Sequence, residues 1–186
     1  ILYTDHPIGK AASLFMGLFA LVFLYCQVRM INAAKGIPAW SHADLMPFIF
    51  SSGLTEALGI AVCLPGLNSE KGLWIALAIM LLARLIFWII YTKNLNRDRA
   101  PEATCEVFDR IYLKVLIGHL FAIALLIEAW VSGLLIFSML AGLLAAAIGW
   151  YLKAVIITRA AQTRGFSIPR TPVRGQGKSR VLESQR

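Results

Sequence analysis

Three ionisable residues, Glu56, Arg84 and His119, lie within otherwise apolar stretches of this sequence. Arg84 most needs an explanation, because placing a charge at the centre of a membrane helix costs roughly 2.5 to 3.5 kcal/mol on insertion scales. Such residues usually face polar groups, water or a ligand inside a helical bundle, and many of them carry protons or contact a bound molecule. These three side chains are therefore the first candidates for chemistry in this chain.

Composition indicates the elements that must hold these residues. The chain has 186 residues, of which 59% are hydrophobic, and its mean hydropathy of +0.71 exceeds what a soluble domain needs to fill a core. A helix needs about 20 mostly apolar residues to cross a bilayer. The sequence therefore predicts an all-α integral membrane protein with five transmembrane helices, at about residues 8–33, 45–67, 72–91, 112–130 and 131–157.

The uneven distribution of charge predicts an orientation. If the five helices alternate in direction, 15 of the 18 Lys and Arg residues fall on one side of the membrane. By the positive-inside rule, the N-terminus is then outside and the tail is cytoplasmic, so nucleic-acid binding is not needed to explain the net charge of +8. Residues 1–158 form the predicted bundle, and the basic, Pro- and Gly-containing tail, 159–186, is predicted to be extended or disordered.

No metal centre is predicted within this chain. Its three cysteines are far apart and lack the CxxC spacing of common zinc and iron–sulfur ligand sets. Only one of the three histidines, His119, lies inside a predicted span, so a haem held by two histidines is not supported. The sequence therefore predicts no haem, no iron–sulfur cluster, no other metal and no catalytic residues here.

Helical geometry brings the three ionisable residues to similar depths. Glu56 lies roughly 15 Å from the cytoplasmic end of its span, and Arg84 and His119 lie about 10 Å from the same side. One interpretation is a Glu56–Arg84 pair that fixes helix packing; another is contact with quinone or passage of protons; a third is that Arg84 extends to the interface. For His119 the alternatives are an interhelical hydrogen bond and a ligand contact.

The last span carries small residues at every fourth position, namely Ala141, Ala145 and Gly149. Residues four apart share one helix face, and small side chains on that face let a neighbouring helix approach closely. The pattern therefore predicts tight packing of the last span against another helix.

Two polar segments offer contacts with a partner protein. After the first span, Gly36 and Pro38 interrupt the helix and place Trp40 at interfacial depth. A helix from about Pro101 to Trp130 would be roughly 45 Å long, so that its first turns project from the bilayer. Those turns would present Glu106, Asp109 and Arg110 either to a partner or simply to solvent.

Three stretches resemble one family of membrane proteins: "FLYCQVRMINAAKGIPAW" (23–40), "PFIFSSGLTEALG" (47–59) and "TRAAQTRGFSIPRTPVRG" (158–175). They are similar to membrane-anchor subunits of the dimethyl sulfoxide reductase and polysulfide reductase type, most of all to the phenylacetyl-CoA:acceptor oxidoreductase anchor. Arg29, Pro38 and Trp40 match the Arg, Pro and Trp of the family's corresponding loop. Family members have more spans than the five predicted here, so the chain resembles the C-terminal part of such a subunit.

The resemblance implies a subunit of a bacterial or archaeal cytoplasmic membrane that serves anaerobic respiration. Such a subunit exchanges electrons with menaquinone or ubiquinone and docks a four-cluster iron–sulfur subunit, which in turn serves a molybdopterin catalytic subunit. Substrate chemistry would then take place on the partners. The family's quinol-site histidine and acidic residue lie upstream of the matching region, so no residue of this chain inherits their roles.

Two other functions remain as alternatives. A fragment of a secondary transporter would typically have broken helices and repeat symmetry around a midplane site, and neither is evident in these spans. A purely structural membrane anchor would have Glu56 and Arg84 saturate each other and leave no pocket beside them.

Overall fold

The apolar stretches form helices, because a backbone that crosses lipid must satisfy its own hydrogen bonds. The computed structural model describes residues 7–162. All helices except the short α2 are long and apolar enough to cross a membrane, and residues 7–162 contain no strand. The predicted all-helical class is therefore confirmed, with five helices long and apolar enough to span a membrane, whereas most of the predicted tail, 163–186, lies outside the described residues. The helices are α1 (Pro7–Asn32), α2 (Pro38–Ser41), α3 (Leu45–Val62), α4 (Lys71–Arg97), α5 (Glu102–Ser132) and α6 (Leu135–Thr158).

Helices α4 and α5 continue beyond the apolar spans predicted for them. α4 runs on from residue 91 to Arg97, and α5 begins at Glu102 instead of near residue 112. The added turns bury Leu95 and Phe108 in a shared apolar cluster, which gives both extensions a packing partner. The long helix expected to begin near Pro101 is therefore present as α5.

α3 is the central helix of the bundle. It packs against α1, α4 and α6, while α5 packs against α4 and α6. Helices α3 to α6 thus surround one interior, and α1 lies at the periphery with Val28 as its one buried residue. Large apolar side chains such as Phe19 and Ile86 point outwards, as suits a surface that faces lipid.

Helices α3 and α6 approach each other closely at a pair of glycines. A Cβ atom added to Gly59 would come within 2.6 Å of the backbone oxygen of Gly142, and a Cβ added to Gly142 would clash with the backbone oxygen of Gly59. The small face predicted for the last span is buried inside the bundle, with Ala141 and Ala145 fully covered. The two backbones therefore touch where only glycine leaves enough space.

The short helix α2 closes one end of the bundle, which we call the α2 end. The Tyr91 hydroxyl donates a hydrogen bond to the Ala39 carbonyl at 2.7 Å, and the Trp40 indole donates to the Ile156 carbonyl at 3.0 Å. The Asn32 amide donates to the Trp40 carbonyl at 3.2 Å. The loop after α1 is thus tied to α4 and α6, and the α4–α5 connection and the end of α6 lie at this same end.

The Tyr91 hydrogen bond supplies a test of this closure. We expect Tyr91→Phe to lower the free energy of unfolding by about 1 to 2 kcal/mol, because the Ala39 carbonyl loses a buried donor. Tyr112→Phe is the matched control, since Tyr112 is exposed on α5. Equilibrium unfolding in mixed detergent micelles measures both variants, and equal stability of the two would contradict the role assigned to Tyr91.

Candidate functional site

Arg84 and His119 form a buried polar contact between α4 and α5. The Arg84 Nε donates to His119 Nε2 at 2.9 Å, and Arg84 Nη1 donates to the Ala145 carbonyl on α6 at 2.8 Å. His119 Nδ1 lies 2.7 Å from the Val115 carbonyl. Both histidine contacts are satisfied when Nδ1 carries the proton and Nε2 accepts, which is a neutral imidazole. Arg84 therefore joins three helices through uncharged partners.

Glu56 pairs with Lys153 and not with Arg84. The Lys153 ammonium donates to Glu56 Oε2 at 2.9 Å, and the Ser52 hydroxyl donates to Glu56 Oε1 at 3.0 Å. The Glu56–Arg84 pair considered from the sequence is not formed. The ionisable residues of the bundle thus fall into two groups, one joining α4 to α5 and one joining α3 to α6.

Gly149 leaves open the space that the Glu56 carboxylate occupies. A Cβ added to Gly149 would clash with Glu56 Oε1 and lie 2.9 Å from Glu56 Cγ, so the carboxylate rests directly against the α6 backbone. Lys153 follows one turn later, and its side chain leans toward the N-terminus of α6, as helical side chains do. The ammonium therefore reaches inward to Glu56 and not outward to the nearer membrane surface.

A cavity of about 410 Å³, which we call the lateral groove, opens beside this ion pair between α1, α3 and α6. Lys153 lies about 8 Å from the end of α6, and Glu56 about 16 Å from the start of α3. The groove thus extends from the α2 end toward the middle of the bundle. Its walls include Gln27, Met30, Ile49, Glu56, Trp150 and Lys153.

The structure places the three predicted residues differently with respect to this groove. Glu56 lines it, whereas Arg84 and His119 are fully buried and do not. Arg84 also occupies the level of Ala145, one turn of α6 away from Gly149 and therefore about 6 Å along that helix. The two polar groups are neighbours, but only the Glu56 group is open to a molecule that arrives from lipid.

The predicted partner contacts lie at the α2 end. Trp40 is partly buried through its bond to α6, and Pro38 is the first residue of α2. Glu106 and Arg110 form an exposed ion pair of 3.0 Å. Side chains that remain exposed and available to a partner at this end include Arg29, Glu106, Asp109 and Arg110.

A second, polar cavity of about 520 Å³ also lies at the α2 end. His42 Nε2 lies 3.3 Å from Asp98 Oδ2, and the Asn94 amide donates to Asp44 Oδ2 at 2.6 Å. These contacts join the α2–α3 loop to the end of α4. The polar side chains of this cavity connect the α2–α3 loop to the end of α4, so we describe it as part of the closure at the α2 end.

Sequence reasoning missed Lys153 and Gln27. Lys153 contributed only to the count of basic residues at a helix end, although it lies four residues after Gly149 on the small face of the last span. That spacing was the available signal, because it places a charge on the face predicted to pack against another helix. For Gln27 the sequence holds no comparable signal.

Within residues 7–162, no group of three or more His, Cys, Asp or Glu side chains is arranged to hold a metal ion. The Glu56–Lys153 ion pair is the ionised group of the bundle interior that borders a cavity, the lateral groove. Comparisons with protein-family models, curated proteins and solved structures found no match to this chain.

Proposed function

We propose that this chain is the quinone-reactive membrane subunit of a molybdenum oxidoreductase complex, and that the lateral groove receives the quinone ring. The observation that carries the proposal is the position of the Glu56–Lys153 pair in an apolar groove between membrane-spanning helices. A buried ion pair of this kind is costly, and ionisable residues inside membrane segments commonly serve ligands or protons.

The groove has the size and lining that a quinone ring requires. Its volume of about 410 Å³ falls within the range of small-molecule sites. Trp150 and Met30 supply apolar surface for the ring and its isoprenoid chain, while Lys153 and Gln27 supply donors for the two ring oxygens. The groove opens between helices, so a ligand dissolved in the bilayer can enter it laterally.

The polar residues of the groove match the chemistry of the ligand. Quinol gives up two electrons and two protons when it becomes quinone, and the reverse reaction consumes the same number of each. The Glu56 carboxylate takes the two ring protons one after the other, releasing the first toward the α2 end of the groove before it accepts the second, and the Lys153 ammonium donates a hydrogen bond to the other oxygen. The electrons pass to or from an iron–sulfur partner, while Arg84 and His119 serve proton passage behind the groove.

The partner docks at the α2 end in this proposal. Basic residues of the loops and helix ends concentrate there, including Arg29, Lys35 and Lys93, so the positive-inside rule makes this end cytoplasmic and the N-terminus external. The membrane is the cytoplasmic membrane of a bacterium or archaeon. A four-cluster iron–sulfur subunit contacts the Trp40 loop and the projecting turn of α5, and it serves a molybdopterin subunit. The quinone of this proposal is either menaquinone or ubiquinone.

The quinone site is tested by narrowing the groove without touching its charges. Ile157 lines the groove and Ile86 faces outward on α4, and both are about half exposed, at 49% and 55%. We expect Ile157→Trp to lose labelling by a photoreactive azidoquinone in native membranes, whereas Ile86→Trp keeps it. Equal labelling of the two variants, or label on α4 or α5 peptides, would overturn the assignment of the groove.

Two variants test the role of Glu56: one removes its charge, and the other shifts its position. We expect Glu56→Gln to reduce electron transfer with quinol about 100-fold, at the lower end of what a positioned acid or base contributes. Gly149→Ala keeps the carboxylate but displaces it from α6, and it should lower the same rate. Full quinol activity of Glu56→Gln would contradict this role. The proposed partners are tested separately: iron and molybdenum should co-purify with the chain in mild detergent, and a metal-free preparation would contradict the proposal.

A further inference from the structure

Two buried donors on α4 have no acceptor among residues 7–162: Arg84 Nη2 and Trp88 Nε1. Both side chains are fully buried. They lie four residues apart and therefore on the same face of the helix, one turn from each other. Buried donors in folded proteins are almost always hydrogen-bonded, to protein or to an ordered water. Each of these two donors therefore needs an acceptor that residues 7–162 do not supply.

The register of α3 against α4 identifies the next polar group. The Thr55 hydroxyl donates to the Met80 carbonyl at 3.1 Å, and the Phe48 ring lies 5.3 Å from the Trp88 ring. These two contacts place Ser52 at the level of Arg84. The Ser52 hydroxyl uses its proton on Glu56 Oε1, so its oxygen keeps lone pairs that can accept.

We propose that one internal water molecule lies between Arg84 Nη2, Trp88 Nε1 and Ser52 Oγ. Its oxygen accepts from the guanidinium and the indole, and one of its protons is donated to the serine oxygen. Water suits the position better than an anion, because the Glu56 carboxylate lies beyond Ser52 and repels negative charge. A water with three polar partners is typical of buried hydration sites.

This water joins the two polar groups into one hydrogen-bonded path. The path runs from His119 through Arg84 to the water, and then through Ser52 to Glu56 and Lys153. It connects the sealed interior of the bundle with the lateral groove, whatever ligand the groove receives. The inference goes beyond the quinone proposal: the proton passage assigned there to Arg84 and His119 needs this path, whereas the groove with Glu56 and Lys153 does not.

Water-edited solid-state NMR of the full chain in lipid bilayers tests the site. With 15N-labelled Trp and Arg, the Trp88 indole signal is assigned by its loss in Trp88→Phe. We expect it to receive magnetisation from water at a mixing time at which the backbone amides of Leu81 and Leu85, buried on the same helix, receive none. If the Trp88 indole receives no more magnetisation from water than these amides do, the proposal is overturned.

Two serine variants test the third contact of the water. Ser52→Ala should weaken the transfer to the Trp88 indole and to Arg84, because the water loses its acceptor. Ser51→Ala is the matched control, since the Ser51 hydroxyl is also buried but bonds to the Phe48 carbonyl. Unchanged transfer in Ser52→Ala, or equal loss in both variants, would contradict the position assigned to the water.

Discussion

Lys153→Met is expected to lower the free energy of unfolding by about 3 kcal/mol, the lower end of what removal of one partner from a buried ion pair costs. The Glu56 side chain is 10% exposed and the Lys153 side chain 27%, so solvent screens this pair little. Methionine keeps the length and apolar stem of lysine while it removes the charge. The loss therefore reports the unpaired Glu56 carboxylate and not a cavity.

A double variant separates the ion pair from packing. Glu56→Gln added to Lys153→Met should recover a large part of the lost stability, because a neutral amide needs no counter-charge and can still accept from Ser52. Lys93→Met is the control, as Lys93 is exposed near the end of α4. Additive losses in the double variant, measured by unfolding in mixed micelles, would show that the two residues are not coupled.

Gly142→Ala is expected to cost about 2 kcal/mol by overpacking the α3–α6 crossing. The new Cβ would clash with the Gly59 carbonyl oxygen and lie 3.3 Å from the Cys63 sulfur. Because the obstacle is backbone, no side-chain rotation relieves it, and the two helices must separate. That separation also moves α6 relative to Glu56, so we expect weaker binding in the lateral groove together with the loss of stability.

The control for this variant is Gly17→Ala on α1. A Cβ at Gly17 would meet nothing within 4 Å, and alanine favours the helix over glycine. Gly17→Ala should therefore leave stability unchanged or raise it slightly. Equal losses for Gly17→Ala and Gly142→Ala would mean that the cost comes from the helix backbone and not from the crossing of α3 and α6.

The Glu56–Lys153 pair and the Arg84–His119 pair differ in whether they border the lateral groove. Glu56 and Lys153 meet the groove directly, so their substitution should alter ligand binding as well as stability. Arg84 and His119 are sealed between α4, α5 and α6, so they act on the groove only through intervening groups. A ligand in the lateral groove would therefore contact Glu56, one of the three residues first identified, together with Lys153.

Much of the fold follows from the sequence by itself. The length of each apolar run is enough to predict five spans, because lipid leaves helices as the available backbone structure. The start of α5 at Glu102 follows from the helix-favouring residues after Pro101, and the small face of α6 from Ala141, Ala145 and Gly149. The interruption between α1 and α3 follows from Gly36 and Pro38. Each of these features depends on residues close together in the chain.

The pairing of the charges was decided only by the tertiary structure. Helical periodicity tells which residues share a face, but not how far each helix is rotated or shifted against its neighbours. The contact of Gly59 with Gly142 sets that shift for α3 and α6, and it brings Glu56 beside Gly149 within reach of Lys153. Arg84 then meets His119 and a backbone carbonyl instead. The lateral groove lies where the peripheral α1 faces α3 and α6, and Gln27 of α1 forms part of its wall.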